Sequence, residues 1–142
     1  MPSEIKGLNT KMSLRGLDES LERIAQLGRD IDEAGAEALF TGAELMQESM
    51  QELAPVDTGN LRDHIRIKGP EQDGNRISVS VGVIHDRAFT DAETARYAVA
   101  QEYGWISTTG AHSGRAYIRG GRDRSRRPAL QAMKKTLARC LT

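Results

Sequence analysis

Cysteine occurs once in the 142 residues, at Cys140, so no disulfide can form within the chain and nothing points to an oxidising compartment. No apolar run approaches the ~20 residues needed to span a bilayer. The first fifteen residues carry Glu4, Lys6, Lys11 and Arg15 without an apolar segment, which speaks against a signal peptide. A soluble, cytoplasmic product with no membrane contact is expected. Aromatic residues are few, but the apolar ones recur periodically, so the chain reads as folded rather than disordered. His64, His85 and His112 do not pair at i+3 or i+4, and with one cysteine no zinc-ligand spacing exists, so neither a metal nor a cofactor is expected. Glycines cluster between Gly110 and Gly121, but not in the strand–GxxxxGK[ST]–helix order of a phosphate loop. Ser107, Thr108 and Ser113 lie near His112, yet neighbours in a polar loop do not make a preorganised nucleophile and base. The chain is expected not to be an enzyme.

What is present fits one ordinary domain, able to bury roughly two-thirds of its unfolded surface. Net charge is zero but unevenly placed: residues 1–62 hold 6 Lys/Arg against 12 Asp/Glu, and residues 63–142 hold 14 against 8. Oppositely charged halves suit stacking on neighbours or on copies of the same chain, unless they merely record an acidic helix followed by a basic loop. Residues 1–13 are polar and mixed and read as a flexible N-terminal arm. From Leu14 to Leu53, apolar residues spaced by three and four predict a long helix. If unbroken from Asp18 it would extend roughly 54 Å, although Gly28 or Gly35 offers a break. Gly28, Gly35, Gly42 and Ser49 recur every seven residues beside Leu17, Ile24, Ile31, Ala38 and Leu45. A helix-interior glycine costs about 1 kcal/mol against alanine. Either another backbone, from a sheet or a neighbouring subunit, packs close to this column, or the helix frays there by chance.

Ile65 and Ile67 alternate with polar residues as a short strand, and Gly69 to Asn75 is dense in turn formers. Ile77, Val79, Val81 and Val83 alternate with Ser78, Ser80 and Gly82 as the clearest strand. The two make an antiparallel hairpin whose apolar face is expected against the long helix. A short helix is predicted from Ala92 to Tyr103, with Ala95, Val99 and Tyr103 on one side and Gly104 closing it. From about 106 to 127 the composition turns to Ser, Thr, Gly and arginine and reads as a basic loop. Arg115, Arg119, Arg122, Arg124, Arg126 and Arg127 lie there with a single acid, Asp123. Pro128 suits the first turn of a C-terminal helix carrying Leu130, Met133, Leu137 and Leu141 on one face. The fold class expected is α+β: a long N-terminal helix packed on a small antiparallel sheet, with a C-terminal helix, in a single domain over 14–142.

Between the long helix and the hairpin stands Pro55-Val56-Asp57-Thr58-Gly59-Asn60-Leu61-Arg62. Pro55 ends the helix, Asp57 and Thr58 can bond nearby backbone N–H groups, and Gly59 can take φ > 0, so the stretch turns the chain sharply. The same stretch resembles the signature of a family of tailed-phage neck proteins, the head–tail joining or tail-completion proteins related to the minor tail protein Z of lambdoid phages. Tyr97-Ala98 with Glu102-Tyr103-Gly104 is similar to that family's middle segment, and Arg115-Ala116-Tyr117-Ile118-Arg119-Gly120-Gly121 to its later motif. In that motif Ala116, Gly120 and Gly121 replace the usual Pro, Pro and Ala. The resemblance extends over roughly residues 15–140.

The resemblance implies a structural virion protein at the neck or head-proximal end of the tail, assembled from the host cytoplasm. It implies a homo-oligomeric ring, commonly a hexamer, contacting neck, tail-terminator or tail-tube proteins, with DNA passing through the lumen unread. Gly28, Gly35, Gly42, Tyr97, Glu102, Tyr103 and the six arginines are the expected interface. An alternative reading is a small nucleic-acid-binding module that grips phosphates through the arginine-rich loop, although no interleaved aromatic platform accompanies it.

Overall fold

The first long helix, α1, spans Ile31–Leu53. Asp32 and Glu33 occupy its first turn, where the helix dipole favours acid, and no proline interrupts it. Ala34, Ala38 with its neighbour Leu39, Ala43, Met46 and Met50 recur at helical spacing and are all buried. The Ala54 N–H still bonds the Met50 carbonyl at 3.0 Å, and Pro55 then biases Ala54 away from the α region. The helix is shorter than the expected span from Asp18. The computed structural model describes residues 3–13, 22–23, 25–28, 31–54, 60–73, 76–85 and 92–140. Within them the chain turns at Leu27 and Gly28, with Gly28 at φ 75°, a conformation glycine adopts without steric penalty.

Three antiparallel strands form the main sheet: β1 (Ser3–Ser13), β2 (Ile65–Asp73) and β3 (Arg76–His85), in the order β1-β3-β2. The 1–13 segment expected as a loose arm is thus largely an edge strand. Its second half alternates Leu8, Thr10 and Met12 with Asn9, Lys11 and Ser13, and Leu8 is fully buried. Lys11 faces Ser80 and Met12 faces Val79, while the register slips between Glu4 and Asn9. At that irregularity a Cβ on Gly82 would strike the Leu8 carbonyl, so only glycine lets β1 lie so close. The β2 strand runs on to Asp73, into the expected turn at 69–75, absorbing Pro70 where its register slips between Lys68 and Glu71, a place an edge strand tolerates proline. As expected, α1 lies across the hairpin: Ile65, Val79, Val81 and Val83 share one core with Leu39, Met46 and Met50.

A single turn, α2 (Asn60–Asp63), precedes β2, and α3 spans Ala92–Tyr103. Gly104, at φ 95°, closes α3 as its sequence suggests. The buried side is not the expected one, however. Val99 and Tyr103 are exposed, at 37% and 48%, whereas Ala98 and Glu102 are fully buried.

The expected basic loop at 106–127 is not a loop. Gly104–Ser107 and Gly110–Ser113 pair as a hairpin, β4 and β5, and a second long helix, α4, runs from Tyr117 to Arg139. Pro128 therefore sits inside α4 and not at its start. It lacks the N–H that would bond back to the Arg124 carbonyl. Burial on both sides of it holds the helix together: Tyr117, Ile118, Gly121 and Ser125 before, Ala129, Met133, Thr136 and Leu137 after. Arg119, Arg122, Arg124, Arg126 and Arg127 accordingly ride on a helix packed within the single chain, with Arg115 just before it. The architecture is α+β: α1 on a small antiparallel sheet, with α4 as the C-terminal helix packed along α1.

Candidate functional site

Glu102 is a fully buried carboxylate, and burying a charge is costly unless it is paired and hydrogen-bonded. Here it is both. One carboxylate oxygen accepts the Ile118 N–H at 2.7 Å; the other accepts the Arg119 N–H at 3.0 Å and Arg119 Nε at 2.8 Å. The first-turn N–H groups of a helix have no intrahelical partner and carry the positive end of its dipole. Ala116, the residue at the helix's N-cap position, is in the left-handed conformation (φ 50°) and offers no side-chain cap. A carboxylate from α3 fills that role instead, at the opening of α4.

The rest of the junction is built on the same two segments. The Glu102 carbonyl accepts the Ala116 N–H at 3.1 Å and Arg119 Nη2 at 2.9 Å, and the Gln101 carbonyl accepts the Arg115 N–H at 2.7 Å. Buried Tyr117 donates its hydroxyl to the Ala98 carbonyl at 2.8 Å. The Arg119 guanidinium lies 4.3 Å from the centre of the Tyr103 ring. Its pKa is held above its ordinary value, first by the hydrogen bond to Glu102, against a smaller opposing effect of desolvation. A raised pKa makes the stabilisation fully present below the unfolded value and lost only in strong alkali, so Arg119 adds no pH dependence near neutrality.

Of the residues expected as an interface, the structure therefore joins Glu102, Tyr103, Arg115 and Arg119 in one junction. Of Tyr97 only the backbone, within α3, is described. The remaining arginines line α4. Arg122 bonds Asp123 at 3.1 Å, Arg124 reaches Glu52 of α1 at 2.9 Å, and Arg126 and Arg127 are exposed. Part of the complementarity anticipated between copies is thus satisfied within one chain.

The glycine column divides. Gly28 serves the turn, with open space where a Cβ would lie. Gly35 is buried in α1. At Gly42 a Cβ would come within 2.7 Å of Met133 Sδ and 3.0 Å of Met12 Cε, so its close neighbours belong to this chain's own α4 and β1, not to another subunit. The reciprocal close approach is at Gly121, where a Cβ would lie 2.7 Å from the Met50 backbone N and Cα; residue composition gives no sign of it. Pro55 to Gly59 of the corner lie outside the described residues. In the second part of the corner, Asn60 opens α2, Leu61 is buried in the core and Arg62 is exposed. Gln51 and Gln47 of α1 donate to the Arg62 and Ile65 carbonyls at 3.4 and 2.8 Å, tying the chain after the corner back to the helix.

At the β4–β5 tip, His112 Nε2 lies 2.8 Å from Ser107 Oγ and 3.3 Å from Thr109 Oγ1. All three residues are exposed, so a hydroxyl there meets bulk water and no enclosed substrate site. Among the described residues no group of His, Cys, Asp and Glu is placed to hold a metal ion.

The two long helices give the surface its character. All six charged residues of α1, from Asp32 to Glu52, are acidic and exposed. In α4 there are eight Lys/Arg and one acid, Asp123. The Glu102 carboxylate joins two helices, and the charge on the two long helices is sorted by sign. The two long helices thus present acidic and basic surfaces to whatever lies beside them. The chain belongs to the HK97-gp10-like family of bacteriophage tail components: the family model described as "Bacteriophage HK97-gp10, putative tail-component" matches residues 16–104. No curated protein and no solved structure matches it significantly. The family match covers α1, the corner, the β2–β3 hairpin and α3, and ends at the first residue of β4, before β5 and α4. Membership places the protein in the virion, in contact with other virion proteins, in a structural role. Among the described residues no helix is long and apolar enough to cross a membrane.

Proposed function

We propose that this tail component is a neck or tail-completion protein akin to the minor tail protein Z of lambdoid phages. Several copies, six in the commonest arrangement, form a ring that joins the tail to the head or connector and leaves a channel for DNA. The observation that carries this reading is the sorting of charge between the two long helices. The acidic outer face of α1 and the basic face of α4 belong to one small unit with zero net charge. Such a unit attracts its own copies and oppositely charged neighbours with defined orientation. Gly28, Gly35, Gly42, Tyr97 and the arginines then act through the helices they shape or decorate.

The test is joining itself. Arg126→Glu with Arg127→Glu reverses two exposed charges and is expected to leave the chain folded, as judged by thermal unfolding. Heads and tails carrying this variant should fail to unite into infectious particles. Wild-type yields from it would remove α4 from the joint.

A second reading is favoured by one feature, the density of cations on α4: a helix that contacts phosphates without reading sequence. Binding of the purified protein to duplex DNA would then weaken linearly in log–log salt plots, with a slope near −0.9 per phosphate neutralised. A slope unaffected by the same double substitution would dismiss it.

A further inference from the structure

We propose that the pocket between β1 and α4 receives the Phe40 side of α1 from a second copy of this chain, so that this knob and pocket form the contact between neighbours. The inference rests on the ring reading above and names its interface. The cavity measures about 510 Å³ and opens between the edge strand and the basic helix. Met12, Leu130 and Met133 give it an apolar lining, and Lys11, Arg122 and Arg126 supply three cations, with no carboxylate among its lining residues.

The α1 surface carries the matching features. Phe40 is 38% exposed. Glu37 and Glu44, three residues before it and four after, share its face and are exposed. An aromatic ring flanked by carboxylates complements a methionine-lined pocket flanked by arginine and lysine. Thioether sulfur and aromatic rings attract one another, and an aromatic anchor seated in a desolvated pocket with charges at its rim is the usual composition of an interface hot spot.

A chain does not fill its own pocket. Met46 of α1 lines the cavity, and Phe40 lies six residues earlier, roughly 120° away around the helix at 3.6 residues per turn. Knob and pocket are therefore separate patches of one molecule. A contact between two different patches is heterologous, the kind that closes into a ring when the rotation between neighbours allows. Arg122 already bonds Asp123 at its own exposed edge, so Arg126 and Lys11 are the cations most open to a neighbour's glutamates.

The experiment is sedimentation equilibrium of the full chain, wild type and three variants. Phe40→Ser and Arg126→Glu are each expected to weaken self-association by about tenfold or more. Arg126→Glu combined with Glu44→Arg is expected to recover most of that loss, because the pair meets across the contact with its signs exchanged. Arg126 is exposed, so its substitution keeps the test open if Phe40→Ser proves poorly folded. An oligomer indifferent to both single substitutions overturns the proposal while leaving a ring built through another face. A wild-type chain that stays monomeric, yet loses head–tail joining in Phe40→Ser, also overturns it. That result gives the pocket to a different virion protein.

Discussion

The helices α1 and α4 are each 23 residues long and lie against one another, but they are held in place by different means. The α1 helix buries alanine, leucine and methionine and shows glutamate. Over its first half α4 buries Gly121 and Ser125 after Tyr117 and Ile118, and shows arginine. Side-chain volume anchors α1. The start of α4 is anchored by buried Tyr117 and Ile118 and, in addition, by close approach of backbone to backbone at Gly121 and by the Glu102 carboxylate at its N-terminus. Two elements of one core can thus differ in what would dislodge them. Loss of volume would dislodge either; the first half of α4 is open as well to gain of volume at Gly121 and to loss of a single carboxylate.

That contrast can be broken most severely at Glu102. Glu102→Ala removes two charge-assisted bonds to helix N–H groups and leaves a space, and is expected to destabilise the fold by about 2–4 kcal/mol in urea unfolding. A loss near zero would mean that α4 needs no carboxylate at its start. Next comes Gly121→Val, where the added atoms meet the Met50 backbone, which cannot move aside; about 1–3 kcal/mol of destabilisation is expected. Gly42→Ala is its sharpening counterpart. The atoms in the way there belong to the flexible side chains of Met133 and Met12, and alanine gains about 1 kcal/mol of helix propensity, so the change in midpoint should be small. Smaller again is Arg124→Ala. Its partner Glu52 and Arg124 itself are both about half exposed, and an exposed pair contributes about 0–1 kcal/mol.

The same contrast explains what can be read from the residues. The α1 stripe, the hairpin alternation and the closing Gly104 are patterns of apolar residues and glycine that local physics fixes, and they stand where expected. Residues 117–127 offer Gly120, Gly121, Ser125 and five arginines, a composition that looks like a loop. Yet after the adjacent Tyr117 and Ile118, Gly121, Ser125, Ala129, Met133 and Leu137 follow at spacings of three and four, and all are buried. The signal lies in position and not in hydrophobicity, because the small residues are selected by how near α1 lies. Likewise Leu8, Thr10 and Met12 alternate in β1, but so few residues in a polar stretch carry little weight until a partner strand is known. Glu102 stands out in the sequence through resemblance alone. Its role depends on α4 beginning at Tyr117, which no local pattern near Glu102 reveals.

The arginine-rich segment as packed helix is the claim on which the charged face, the pocket and the cap all depend. Amide hydrogen exchange across residues 121–127 of the purified chain tests it directly, since helical N–H groups open only with local or global unfolding. Protection comparable to that of residues 38–50 in α1 is the predicted result. Exchange of 121–127 at the rate of an unstructured peptide, with α1 still protected, would contradict it.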